Sequence, residues 1–189
     1  MVGQSDPALE GLFVLAAQRL VEQGATVITG GCGYMILFQK TIAAAVPVPV
    51  MMSSLMQLPL LATLIPQGCQ LGALVANQHT FDRRYLIACG ADELPVSVWG
   101  MAEKSEFAEV MLRQERTNLD MVRLEQETIE AARELISRCP AVACVVLECT
   151  DLAPFAASVQ AAVGLPVFDI TTLANFIYAA HRRSDFGRA

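Results

Sequence analysis

Histidine is scarce in this chain. His79 and His181 are the only two, tryptophan occurs once, and no C-x-x-C pair exists among the six cysteines. Closely spaced zinc ligands are therefore missing, and no metal site is expected. Charge is sparse as well: Asp, Glu, Lys and Arg make up 17% of the residues, 13 basic against 19 acidic, for a net charge of -6. The basic residues are scattered rather than gathered into a stripe, so nucleic acid is not an expected partner. No charge-free apolar run reaches the ~18 to 20 residues of a membrane span. The nearest, residues 41–57, is interrupted by Pro47 and Pro49, and no membrane partner is expected. The opening MVGQSDPALEG has neither the basic nor the apolar region of a secretory signal, which points to a cytoplasmic protein.

What is present is apolar: 54% of 189 residues are hydrophobic, enough to bury a sizeable core. Such a chain needs no disulfide staples, so Cys32, Cys69, Cys89, Cys139, Cys144 and Cys149 are expected as free thiols. Short β-branched runs (ATVIT, VPVMM, QLGALVA, LPVSVW, AVACVVL, LPVFDI) alternate with stretches of helical periodicity at 7–22, 35–46, 55–64, 80–89, 118–138, 152–163 and 172–182. That alternation predicts an α/β fold with parallel sheets. Asn118 is the expected cap of the long helix. The polar segment 99–120 reads as a mobile loop or lid.

One repeat organises the chain. CGYMILFQKTIAAAVPVPV from Cys32 aligns without a gap on CTDLAPFAASVQAAVGLPV from Cys149, at a constant offset of 117 residues. Phe38 meets Phe155, Ala44-Ala45-Val46 meets Ala161-Ala162-Val163, and Pro49-Val50 meets Pro166-Val167. The repeated unit is helix, strand, cysteine, helix, strand. Two copies packed about a pseudo-two-fold axis bring equivalent points to one cleft. Each cysteine then lies at the carboxyl end of a strand and the start of a helix, where free N–H groups favour an anion. A thiol there is expected to have a lowered pKa and to act as base or nucleophile. Cys69, Cys89, Cys139 and Cys144 lack this shared context and read as small core residues. The two histidines read as surface or helix-end residues.

The stretches ITGGCG, VPVMMSSL and VVLECTDLAPFAASVQAAVGLPVFDI resemble the aspartate/glutamate racemase superfamily, with its hydantoin racemases, maleate isomerases and arylmalonate decarboxylases. The resemblance covers nearly the whole chain. It implies two pseudo-symmetric flavodoxin-like lobes, here 1–54 completed by 172–189 and then 55–171, with the active site in the cleft between them. It also implies proton transfer at the α-carbon of a small carboxylate or hydantoin-like substrate, with Cys32 and Cys149 on opposite faces and no cofactor. Cis-trans isomerisation, decarboxylation, or a non-catalytic ligand-binding or oligomerising homologue are the alternatives, and a homodimer is compatible with each. Gly33, Ser53, Ser54, Asn77 and Thr150 are the candidate substrate-binding residues. Ser53, Ser54 and Thr150 read equally as helix caps, and Asn77 as a turn residue. Asp151 stands where amino-acid racemases often carry a histidine. Family members begin with a central strand that has no counterpart here, so ATVIT and VPVMM are expected to lack a shared neighbour.

Overall fold

The computed structural model describes residues 7–183. The elements in order are α1 (Pro7–Glu22), β1 (Ile28–Thr29), α2 (Gln39–Ala45), β2 (Val50–Met51), α3 (Leu58–Ala62), β3 (Gln70–Val75), α4 (Arg83–Cys89), β4 (Val96–Gly100), α5 (Ser105–Phe107), α6 (Met121–Arg138), β5 (Val142–Leu147), α7 (Ala156–Val163), β6 (Val167–Phe168) and α8 (Ile170–His181). Tight 3-10 turns at Gly33–Phe38, Ser54–Gln57 and Thr150–Phe155 open the helical stretches that follow β1, β2 and β5. All strand pairings are parallel, in one sheet of order β4-β3-β5-β6 and a second of β1 with β2. The fold is α/β with parallel sheets.

Strand β3 runs through the middle of the larger sheet and is buried from Leu71 to Val75. Side chains alternate across a strand, so its two faces feed different cores. Leu74 packs with Leu124, Leu135 and Leu147 on the α6 side. Leu71, Ala73 and Val75 pack with Leu55, Leu58 and Tyr85 on the other. A third core, built from Ala17, Ile28, Phe38, Ile42, Val50 and Met52, joins α1 and α2 to the small sheet.

Among the described strands, β1 and β2 have no shared neighbour and pair directly with each other, Ile28 beside Val50 and Thr29 beside Met51. Their pairing repeats that of β5 with β6. The cap of α6 is Asp120 rather than Asn118: its carboxylate accepts from the N–H groups of Val122 and Arg123 and adds its charge to the positive end of the helix. Finally, the segment at 99–120 is tied down rather than loose. Glu127 of α6 accepts from the backbone N–H of Glu106 at 2.8 Å and of Phe107 at 3.0 Å, and Arg116 binds Glu106 and Glu109. Met101 and Phe107 are buried within it. None of the described helices is long and apolar enough to cross a membrane.

Candidate active site

Both cysteines stand in the extended residue that precedes a 3-10 turn, Cys32 before Gly33–Phe38 and Cys149 before Thr150–Phe155. The two loops touch in a crossed pattern. Thr150 donates its hydroxyl proton to the carbonyl of Gly31 at 2.9 Å. Gly33 lies so close to Glu148 that a Cβ on it would run into the Glu148 carbonyl and carboxyl oxygens. In the repeat Gly31 corresponds to Glu148 and Gly33 to Thr150, so each contact is the partner of the other under the pseudo-two-fold. Cys32 and Cys149 are the middle residues of the two crossed tripeptides.

Their electrostatics depart from the sequence expectation, since both thiols are pushed up rather than down. For Cys32 the causes are crowding by protein first, then the carboxylates of Glu148 and Asp151, against the backbone N–H of Tyr34. Cys149 is raised strongly, by burial first, then by Glu148 and Asp151, with the N–H of Asp151 pulling the other way and Cys32 adding to the rise. Neither sulfur takes a full capping hydrogen bond. A six-residue 3-10 turn offers little dipole to offset two nearby carboxylates. The pair is unequal: Cys32 is exposed, whereas Cys149 is 9% exposed and its thiol donates to Asp151 Oδ2 at 3.6 Å.

The candidate donors are partly committed elsewhere. Ser53 caps the turn that follows β2, accepting from the Leu55 N–H at 3.2 Å. Ser54 is buried and donates to the Leu147 carbonyl at 2.7 Å, which fixes the end of β2 against β5 two residues before Cys149. The Asn77 side chain accepts from the His79 N–H at 2.9 Å, while its carbonyl accepts from the Tyr34 hydroxyl at 3.4 Å. Thr150, through Gly31, is a tether between the cysteine loops. Gly33 serves the site by its lack of a side chain.

Sequence reasoning missed Glu148. Its side chain is buried, Oε2 accepts from the Ala76 N–H at 3.1 Å, and its own N–H donates to the Leu74 carbonyl at 2.8 Å. The signal was a lone acid closing the apolar run AVACVVL, where the other half of the repeat has glycine. Tyr34 was missed too; its ring lies 5.0 Å from that of Tyr85 and brings the first cysteine's turn onto α4. Among the described residues no group of three or more His, Cys, Asp or Glu is arranged to hold a metal ion.

The fold is similar to that of several racemases and of arylmalonate decarboxylase. An aspartate racemase homologue from Pyrococcus horikoshii OT3 superposes with a TM-score of 0.62 at 19% identity, over 92% of this chain and 74% of its own. Allantoin racemase from Pseudomonas fluorescens gives 0.61 at 16% identity, over 95% and 74%. Unliganded arylmalonate decarboxylase gives 0.60 at 18% identity, over 98% and 79%. In sequence the chain is similar to a dimethylsulfoniopropionate lyase of Durusdinium sp. clade D, 31% identical over 92% of this chain and 59% of the lyase. It is likewise 32% identical to dimethylsulfoniopropionate lyase 3 of Emiliania huxleyi, over 89% of this chain and 45% of that protein. The chain thus spans about half the length of these relatives. No protein-family model matches the sequence.

Proposed function

We propose that this chain carries the two-thiol site of an enzyme that removes the α-proton of a small carboxylate without a cofactor, and that the reaction is elimination of a β-sulfonium group. The observation that supports the reading is the crossed contact of Gly31 with Thr150 and of Gly33 with Glu148, which joins the residues flanking Cys32 to those flanking Cys149. Elimination is favoured over racemisation because the lyase relatives are 31% and 32% identical in sequence, against 16% to 19% for the racemases and the decarboxylase.

The roles follow from the asymmetry of the pair. Cys32, the more accessible and less perturbed thiol, is the base. Its thiolate takes the α-proton of dimethylsulfoniopropionate, the electron pair forms the carbon–carbon double bond, and the β-carbon–sulfur bond breaks. The products are dimethyl sulfide, acrylate and the Cys32 thiol. Cys149 stays protonated and, turning its S–H away from Asp151, offers it to the negative charge that develops on the substrate carboxylate. Backbone N–H groups at Gly33 and Thr150, with Asn77 at the end of β3, complete the carboxylate site. Ser53 and Ser54 act behind it by fixing the end of β2. In this reading the described parts of the expected lobes, 1–54 with 172–189 and 55–171, supply the two walls.

Racemisation is the second reading, favoured by the symmetric cysteine contexts. There Cys149 returns a proton to the face opposite Cys32. Incubation with dimethylsulfoniopropionate in heavy water, followed by headspace measurement of dimethyl sulfide and proton NMR of acrylate, tests the first reading. Parallel incubations with single enantiomers of aspartate and allantoin test the second. The elimination reading is lost if neither product forms while one of those enantiomers exchanges its α-proton and loses optical purity.

A further inference from the structure

Glu148 sits where the two cysteine loops and the central strand meet, and proton transfer as described above leaves it without a role. Its backbone N–H continues the β3–β5 ladder to Leu74, and its carboxylate then turns to accept from Ala76, one residue beyond the end of β3. The same carboxyl group abuts Gly33, the neighbour of Cys32, while the residue itself is the neighbour of Cys149. It is 1% exposed. The repeat gives the equivalent position, Gly31, no side chain at all. A symmetric proton-transfer site has no need of one acid on one side.

We propose that Glu148 is a positioning residue that joins both cysteine loops to the end of β3 and, through its charge, opposes thiolate formation in the site. The inference rests on the two-thiol reading above. Several titratable groups face this carboxyl. Cys32 and Tyr34 come from the turn after β1, Cys149 and Asp151 surround it on its own segment, and Tyr85 reaches it from α4. Ionised Glu148 raises both sulfurs, so a thiolate forms at least cost when this carboxyl is neutral. Burial, with Asp151 adding to it against the Ala76 N–H, pushes Glu148 up to about 7, so both of its forms are populated near neutral pH.

Charge and tether are separable by substitution. Glu148→Gln keeps an oxygen for Ala76 and removes the charge; Glu148→Asp keeps the charge and draws the carboxyl back from Ala76. The rate of Cys32 alkylation by iodoacetamide, followed against pH by mass spectrometry of the Cys32 peptide, reads the thiolate without reference to any substrate. The expected result is an apparent Cys32 pKa about one pH unit lower in Glu148→Gln and little changed in Glu148→Asp. An unchanged Cys32 profile in a folded Glu148→Gln protein overturns the proposal. If that variant fails to fold, the parent supplies the second measurement: its Cys32 alkylation profile must bend as Glu148 ionises near pH 7, and a profile that follows one thiol titration throughout overturns the proposal equally. Should the alkylation shift appear in a protein that turns over none of the substrates tested, the functional reading fails while this inference stands.

Discussion

The hydroxyl of Thr150 holds the carbonyl of Gly31 at 2.9 Å, so a residue beside the second cysteine anchors a residue beside the first. A net contribution of about 0.5 to 1.5 kcal/mol is typical of such a bond. Thr150→Val should lower stability by about that amount and cost activity beyond what the stability loss explains, because it frees the Cys32 loop. Thr150→Ser should behave like the parent. Urea denaturation beside steady-state kinetics on the same preparations checks both.

Gly33 is the second point of contact. Any β-carbon there meets Glu148, so Gly33→Ala must push the cysteine loops apart. A loss of about 1 to 3 kcal/mol is expected, in the range of overpacked sites. Gly31, with nothing within 4 Å of its Cβ position, should accept alanine at little cost in stability. The difference between the two thermal melts is the measurement.

The thiols should differ in reactivity. Cys32 is exposed, and Cys149 is buried with its pKa driven well above that of a free thiol. Under limiting iodoacetamide the Cys32 peptide should be modified first, and Cys149 only slowly until the protein is unfolded. Replacing either cysteine by serine should lower turnover by about 10² to 10⁴-fold, the span of a positioned proton-transfer group.

Much of this arrangement was legible in the sequence because a gapless repeat needs no structural knowledge to be seen. Equal offsets marked Cys32 and Cys149 as equivalent, and the alternation of β-branched runs with helical stretches gave the parallel sheets. The sign of their pKa shifts was not legible. It depends on Glu148 and Asp151, which sequence reasoning passed over or took as marks of substrate choice, and on burial that periodicity cannot supply. Nor could a 3-10 turn of six residues be told from the first turns of an α-helix, since periods of 3.0 and 3.6 barely diverge over that length. The roles of Ser54 and Thr150 were hidden for a simpler reason. Each bonds a residue about a hundred positions away, and only the fold brings Leu147 and Gly31 within reach.

Stability should carry the mark of Glu148. Its folded-state pKa is raised from 4.5 to about 7, so between those values the folded protein binds more protons than the unfolded chain. Stability from this group is present below about pH 4.5 and is lost as pH rises to about 7. The loss is on the order of 3 kcal/mol. Glu148→Gln should flatten that part of the pH–stability curve and gain on the parent above pH 7. Denaturant midpoints across pH 4 to 8 report it.

A crystal structure with an unreactive carboxylate analogue in the cleft is the most direct test of the whole account. The result it predicts is the analogue's α-carbon between the two sulfurs, with Cys32 Sγ about 3.5 Å away as a near-attack geometry requires. An analogue bound elsewhere, or sulfurs of Cys32 and Cys149 facing different compartments, would contradict it.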